Sequence, residues 1–198
     1  MRRKVFDLIA SAGGLVVVAV LVVAGALLMW GYSFTSANVH NQLAKQEIYF
    51  PPKAAFAHAE PGTEITPSMI PSVSRYAGQQ LLTGQQAAAY ANDFIAVHLS
   101  ELPYHGVYAA ISSKALAAKP GSAEAKQLSG LEQTSFQGTT LRGLLLEAYA
   151  FSTFGVIALW AGIAAFILAA VMAVLVGLGF WHSRHTPAEA ELLPAHER

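Results

Sequence analysis

The amino-acid sequence predicts an all-α integral membrane protein with two transmembrane helices, which extend outward and carry an extracytoplasmic bundle of short helices. The composition is apolar: 54% of the residues are hydrophobic and 12% are charged, about half the charged share of an average soluble domain. Two uncharged apolar runs stand near the ends of the chain, at residues 8–32 and 148–181. The region between them shows helical spacing of apolar side chains, without the alternation expected of a strand.

Both apolar runs are long enough to cross a bilayer, because about 20 helical residues span its hydrocarbon core. Arg2, Arg3 and Lys4 precede the first run, and Arg184 follows the second. Since basic residues favour the cytoplasmic side, both termini are expected in the cytoplasm. The predicted order is a cytoplasmic N-terminus, transmembrane helix 1, an extracytoplasmic helical region, transmembrane helix 2 and a cytoplasmic tail, at residues 1–7, 8–32, 33–147, 148–181 and 182–198.

A cleavable signal peptide is the alternative interpretation of the first run, since Thr-Ser-Ala at residues 35–37 loosely resembles a cleavage site. The apolar part of a signal peptide usually has about 7 to 15 residues. The run at residues 8–32 is longer. Its length therefore favours an uncleaved signal-anchor.

Proline and capping residues divide the first part of the central region. The helix that follows the first run is predicted to end before the prolines at residues 51–52, because proline disfavours helix at the preceding residue. Further prolines predict a loop over residues 51–73. A helix is expected to start at Thr83, which forms a capping box with Gln86, and to end before Pro103.

Three more helices are expected in the rest of the central region. One covers residues 106–119, and a short one begins at Ser122. The last begins near Gly138, with Thr139 or Thr140 as its cap, and continues into the membrane. These segments have few large apolar side chains, so we expect them to pack on the extensions of the membrane helices or on a partner.

The second apolar run carries small side chains at every fourth position. Small residues let another helix approach closely in lipid, where packing drives association. The alternative is that alanine is simply common in this chain. We interpret the row as a helix-packing seam for the first run, a second copy of the chain or another protein. Its members are Ala161, Ala165, Ala169, Ala173 and Gly177.

Arg142, Gly143 and Glu147 are candidate interface residues just before the second run. Helical geometry places Arg142 and Glu147 nearly half a turn apart in rotation, so they are not expected to form a catalytic pair. A basic side chain near a helix start is unfavourable. Arg142 is therefore expected to have a partner: an acidic residue, a lipid phosphate or another subunit. The alternative is an interfacial arginine that extends to lipid head groups.

The residues predict no catalytic, cofactor-binding or metal-binding site. Cysteine is absent, and His40, His58, His98 and His105 lack the close pairing typical of metal ligands. His98 lies on the apolar face of its helix and is expected to be a hydrogen-bonded packing residue. A glycine-rich phosphate loop and a nucleophile elbow are also absent. A formal net charge of zero argues against nucleic acid as a partner.

Two segments carry a resemblance to a known group of proteins: LTGQQAAAYANDFIAVHL at residues 82–99 and FQGTTLRGLLLEAYAFSTFG at residues 136–155. They resemble bacterial, mainly actinobacterial, membrane proteins that have two membrane helices and no assigned activity. The resemblance covers most of residues 8–181 and implies location in the bacterial plasma membrane. Such proteins are sometimes automatically labelled aromatic ring-opening dioxygenases. Those enzymes are soluble, and this sequence shows no His/His/Glu iron-binding arrangement, so we do not adopt the label.

The sequence therefore predicts a non-catalytic accessory or scaffold subunit of a larger integral membrane complex. It would dock through transmembrane helix 2 and the extracytoplasmic helices. The expected partners are other integral membrane subunits or a second copy of the chain, together with lipid. Two alternatives stay open: an extracytoplasmic module that binds or senses a ligand or lipid, and a metal-dependent enzyme.

Overall fold

The computed structural model describes residues 3–187 and confirms the all-α class. Within these residues, β-pairing is limited to one antiparallel bridge between Tyr49 and Gln80. The described α-helices are α1 Arg3–Ala44, α2 Ile70–Val73, α3 Gly84–Ala89, α4 Ala96–Glu101, α5 Tyr108–Ala117 and α6 Ala123–His185. A π-helical turn, Tyr90–Ile95, joins α3 to α4, and short 3₁₀ turns occupy Lys53–His58, Pro67–Met69, Ser74–Tyr76 and Pro103–Gly106.

Helices α1 and α6 are both long and apolar enough to cross a membrane. Their most apolar windows have the same mean hydropathy, 2.7. Only 6% of that window is buried in α1 and 17% in α6, whereas a core helix of a soluble protein would be mostly buried. The apolar side chains of both helices are therefore largely exposed.

The described residues form two compact units, residues 3–34 with 155–187 and residues 35–154. We call the first the paired-helix unit and the second the central unit. Helices α1 and α6 contribute a segment to each.

In the paired-helix unit, α1 and α6 pack antiparallel through small residues. Gly162 lies against the carbonyl of Gly25, and Gly179 lies against Ser11. Among the buried and half-buried positions, six on each helix alternate between three- and four-residue spacing, which is the pattern of a left-handed coiled coil. These positions are Ser11, Gly14, Val18, Leu21, Gly25 and Leu28 on α1, and Gly162, Ala165, Ala169, Met172, Val176 and Gly179 on α6.

The core of the central unit forms where α1, α6 and the segment between them meet. Helix α1 contributes Val39 and Leu43, and α6 contributes Leu145. The expected packing on the extensions of the long helices is thus confirmed. The proline-rich segment at residues 51–73, predicted as a loop, instead folds into short helical turns and supplies core residues. The buried core side chains between the two long helices are Phe50, Ile65, Met69, Val73, Leu81, Ala87, Ala91 and Ile95.

One predicted helix boundary is confirmed and one is wrong. Helix α1 ends at Ala44, before the prolines, because the chain turns at Glu47, whose φ is 52°. Helix α6 begins at Ala123 and passes through Gly138 without a break. Gly138 is accommodated because a Cβ there would lie 2.7 Å from Cδ2 of Leu99, so the missing side chain permits close packing. The threonines at residues 139–140 are consequently inside α6 and not at its start.

Candidate functional site

The candidate site is a groove in the central unit between residues 84–102 and the first half of α6. A capping box starts α3: the backbone N–H of Gln86 donates to Oγ1 of Thr83 at 3.3 Å, and that of Thr83 donates to Oε1 of Gln86 at 3.0 Å. This part of the prediction is confirmed. Gly84 packs against Ser152. Since Leu99 packs against Gly138, the two segments run antiparallel.

The π-helical turn shapes one wall of the groove. A π turn inserts an extra residue into a helix and changes the direction of the side chains that follow, and such turns occur frequently at functional sites. Here the rings of Tyr90 and Phe94 lie 4.7 Å apart, and those of Phe94 and His98 lie 4.6 Å apart. Burial, and secondarily the charge of Glu64, raises the pKa of the Tyr90 phenol. The wall is therefore an aromatic row.

A cavity of about 510 Å³ lies in this groove. Its volume falls within the range of ~300–1,000 Å³ typical of small-molecule sites. Most of its lining is apolar, and the residues with polar groups are Tyr90, His98, Glu101 and Thr134. The other lining residues are Phe94, Ile95, Leu99, Leu102, Gly138 and Leu141.

Arg142 lies one helical turn after Gly138 on α6 and is not among the residues that line the cavity. Its Nη2 donates to Oδ1 of Asn92 at 3.1 Å, while its Nε is buried without an acceptor. In the described part of the chain, no carboxylate lies within ion-pair distance of Arg142. The partner within the chain is thus a neutral amide. A partner was expected because a basic side chain is unfavourable near a helix start. That reason was wrong, because Arg142 lies inside α6 and not near its start.

The other two candidate interface residues do not join this groove. Gly143 and Glu147 are exposed, and no described atom would contact a Cβ at Gly143 within 4 Å. Glu147 forms no ion pair with Arg142. Their proposed contact with a partner stays a prediction.

A left-handed turn follows the groove. Three consecutive residues have positive φ: Tyr104 at 57°, His105 at 54° and Gly106 at 64°. This region is unfavourable for residues with a Cβ, and such outliers persist only where surrounding contacts hold them. The buried hydroxyl of Ser135 donates to the Gly106 carbonyl at 2.6 Å, and Gly106 packs against the Leu99 carbonyl. These contacts fix the turn to α6.

The histidines are dispersed. His40, His58 and His105 are exposed, and His98 is half-buried with its Nδ1 2.9 Å from the Phe94 carbonyl. The packing role predicted for His98 is confirmed. Across residues 3–187, no three His, Cys, Asp or Glu side chains form a group that could hold a metal ion.

The predicted small-residue seam of α6 divides between two faces. Ala165 and Ala169 are buried, on the face that packs against α1. Ala161, Ala173 and Gly177 are exposed. The division arises because a four-residue step rotates by ~40° around a helix, so the row drifts away from the contact with α1. Contact of the exposed members with another helix stays a prediction.

Four residues have specific polar contacts that were not predicted from the sequence. Asn92 and Ser135 have partners 50 and 29 residues away in the chain, so no local pattern identifies them. In the paired-helix unit, Oδ2 of Asp7 lies 3.8 Å from Nε2 of His182. Asp7 precedes the first apolar run and His182 follows the second. Their acidic and basic character was the only feature of the sequence that could have indicated this contact.

Comparison of the chain with protein-family models, curated proteins and solved structures gave no match.

Proposed function

We propose that this chain is a non-catalytic accessory subunit of a larger membrane complex. In this proposal α1 and α6 cross the plasma membrane, both termini are cytoplasmic and the central unit is extracytoplasmic. The exposure of the apolar side chains on both long helices supports insertion in lipid. The basic residues that flank the apolar runs support the orientation.

The observation that carries the accessory role is an exposed aromatic patch on the central unit, formed by Tyr104, Val107, Tyr108 and Phe136. All four side chains are exposed, and the rings of Tyr108 and Phe136 lie 5.8 Å apart. Exposed apolar patches of this kind mark interaction sites on water-facing surfaces.

The surroundings of the patch fit a protein partner. Ser129, Glu132 and Gln133 line a shallow depression together with Tyr108 and Phe136. Aromatic side chains surrounded by polar groups are the usual anatomy of a protein–protein interface. We therefore assign the aromatic patch to contact with the extracytoplasmic surface of another integral membrane subunit.

Affinity purification from the native membrane in mild detergent tests this assignment. We expect another membrane subunit to co-purify with the wild-type chain and to be lost with Phe136→Ser. Tyr49→Ser is the matched control, because Tyr49 and Phe136 are both aromatic, lie in the central unit and are similarly exposed, at 58% and 55%.

Two results would contradict the proposal. One is recovery of the wild-type chain alone at native expression. The other is retention of the same partners by Phe136→Ser. Co-expression of two differently tagged copies separates the remaining possibility, since co-purification of the second tag would identify the partner as another copy of the chain.

A further inference from the structure

We propose that the three tryptophans of the chain contact the interfacial layers of the bilayer, with Trp30 and Trp160 at the outer boundary of the hydrocarbon core and Trp181 at the inner boundary. This inference rests on the membrane crossing proposed above and does not depend on a protein partner. It places residues 148–159 of α6 outside the hydrocarbon, although they belong to the second apolar run.

The second apolar run is too long to lie wholly in hydrocarbon. Residues 148–181 of α6 form a helical segment about 50 Å long, whereas the hydrocarbon core is ~30 Å thick. The whole run would fit only at a tilt of about 50°, and transmembrane helices tilt by ~20° on average and by up to ~40°. Part of the run therefore projects from the hydrocarbon on one side.

Ionisable side chains fix the inner end of the run. Asp7 of α1 and His182 of α6 lie 3.8 Å apart, and Arg184 comes two residues after His182. Ionisable groups are costly inside hydrocarbon, so this level of the two helices lies outside the inner boundary. The excess length therefore projects on the extracytoplasmic side, where Glu147 is the first charged residue of α6 and sets no closer limit.

Two tryptophans of α6 are separated by the thickness of the hydrocarbon core. Trp160 and Trp181 are 21 residues apart, which is about 31 Å along the helix and ~30 Å across the membrane at the average tilt. Residues 161–180 between them contain no charged side chain. Both indoles are exposed, at 65% and 62%. Tryptophan is enriched at membrane–water interfaces because its ring is amphipathic, so this spacing marks the two boundaries.

Helix α1 places a third tryptophan at the outer level. Gly162 of α6 packs against Leu28 of the antiparallel α1. Trp160 precedes Gly162 by two residues and Trp30 follows Leu28 by two residues, so the two indoles lie at about the same level along the helix pair. Trp30 is also exposed, at 66%. Two exposed tryptophans at one level place the outer boundary there and not at residue 148.

Fluorescence quenching of single-tryptophan chains tests the boundary. The double variant Trp30→Phe, Trp181→Phe leaves Trp160 as the sole tryptophan. The full chain is reconstituted in phosphatidylcholine bilayers that carry bromine, a quencher of nearby indoles, either near the ester end or near the methyl end of the acyl chain. We expect a larger loss of Trp160 fluorescence with bromine near the ester end. The chains that retain only Trp30 or only Trp181 should respond in the same way.

Val171→Trp is the matched control, in a chain whose three native tryptophans are replaced by phenylalanine. Val171 is 52% exposed and lies midway between Trp160 and Trp181 on α6. An indole there should lose more fluorescence with bromine near the methyl end. If Trp160 responds as Val171→Trp does, the outer boundary lies nearer residue 148 and the inference is wrong. If no bromine quenches any of the four indoles, the proposed membrane crossing fails as well.

A pair of isoleucines tests the same boundary without fluorescence. Ile157 and Ile167 are similarly exposed, at 57% and 60%. With the boundary at Trp160, Ile157 lies outside the hydrocarbon and Ile167 lies about 10 Å inside it. Ile167→Lys should therefore reduce the amount of chain recovered in the membrane fraction more than Ile157→Lys does. A core that began at residue 148 would end near residue 168, so equal losses or the reverse order would overturn the inference.

Discussion

The two units differ in where their large apolar side chains lie. In the paired-helix unit, the contact between α1 and α6 uses Gly25, Gly162 and Ala165, while large side chains such as Leu175 point outward. In the central unit, large side chains such as Leu81 and Met69 are fully buried. The central unit thus follows the packing of a water-soluble domain. The paired-helix unit follows the rule for helices in lipid, where close packing of small residues replaces the hydrophobic effect.

The largest expected effect contrasts one leucine from each unit. Leu81→Ala should destabilise the central unit by about 2–5 kcal/mol, because it leaves a cavity in a packed core. Leu175→Ala should change stability by less than about 0.5 kcal/mol, because the Leu175 side chain is 55% exposed. Hydrogen exchange of the amides of each unit, in nanodiscs at increasing urea, measures the two changes. Comparable losses for the two variants would contradict the contrast.

The next effect concerns the helix contact. Gly162→Leu should weaken the pairing of α1 and α6 by about 1–3 kcal/mol, because the new side chain would clash with the Gly25 carbonyl and with Leu28. Gly177→Leu is the control, since no described atom lies within 4 Å of a Cβ at Gly177. If Gly177→Leu instead disrupts association with another chain, the exposed part of the predicted seam is an interface.

A disulfide measures this pairing. A Cβ at position 179 would lie 3.6 Å from Cβ of Ser11, within the ~3.5–4.5 Å that a disulfide requires. Because the chain has no cysteine, the double variant Ser11→Cys, Gly179→Cys should form an intramolecular disulfide on oxidation. The added Gly162→Leu should slow its formation. Failure of the parent pair to cross-link would refute the antiparallel register.

A smaller effect is expected within the central unit at its left-handed turn. Ser135→Ala should cost about 1–3 kcal/mol, because it leaves the buried Gly106 carbonyl without its donor. Ser129→Ala, at an exposed position of the same helix, should have little effect. Urea unfolding followed by tyrosine near-ultraviolet circular dichroism compares the two. An unchanged midpoint for Ser135→Ala would mean that the turn is held without this hydrogen bond.

The smallest effect is a pH dependence. The pKa of Tyr90 is raised in the folded state, so its neutral form is favoured there. The corresponding stabilisation is fully present below the unfolded pKa of about 10 and is lost as pH rises through the higher folded pKa. Tyr90→Phe should remove this loss of stability at alkaline pH, whereas Tyr49→Phe should retain it. Identical stability profiles above pH 10 for the wild type and Tyr90→Phe would contradict the expectation.

Local patterns predicted the features that depend on neighbouring residues. The lengths of the apolar runs predicted two helices that could cross a membrane. The capping box at Thr83 and the end of α4 before Pro103 also agree with the structure. Each depends on backbone groups within about one helical turn, which the sequence displays directly.

The break expected near Gly138 shows where local reasoning fails. A glycine inside a helix costs ~1 kcal/mol relative to alanine, which makes a boundary plausible from sequence. In the structure Leu99 occupies the space beside Gly138 and α6 continues. The favourable contact comes from a residue 39 positions away, so it could not be inferred from the glycine and its neighbours.

The sequence by itself determined the all-α class, the two long apolar helices and the absence of cysteine chemistry, since these follow from composition and short-range spacing. Only the tertiary structure decided the three- and four-residue register between α1 and α6, the groove beside the π-helical turn and the pairing of Arg142 with Asn92. The physical reason is that packing depends on which distant side chains meet. Contacts between distant residues placed Gly138 and Gly162 in close packing, and they left the Nε of Arg142 buried without an acceptor.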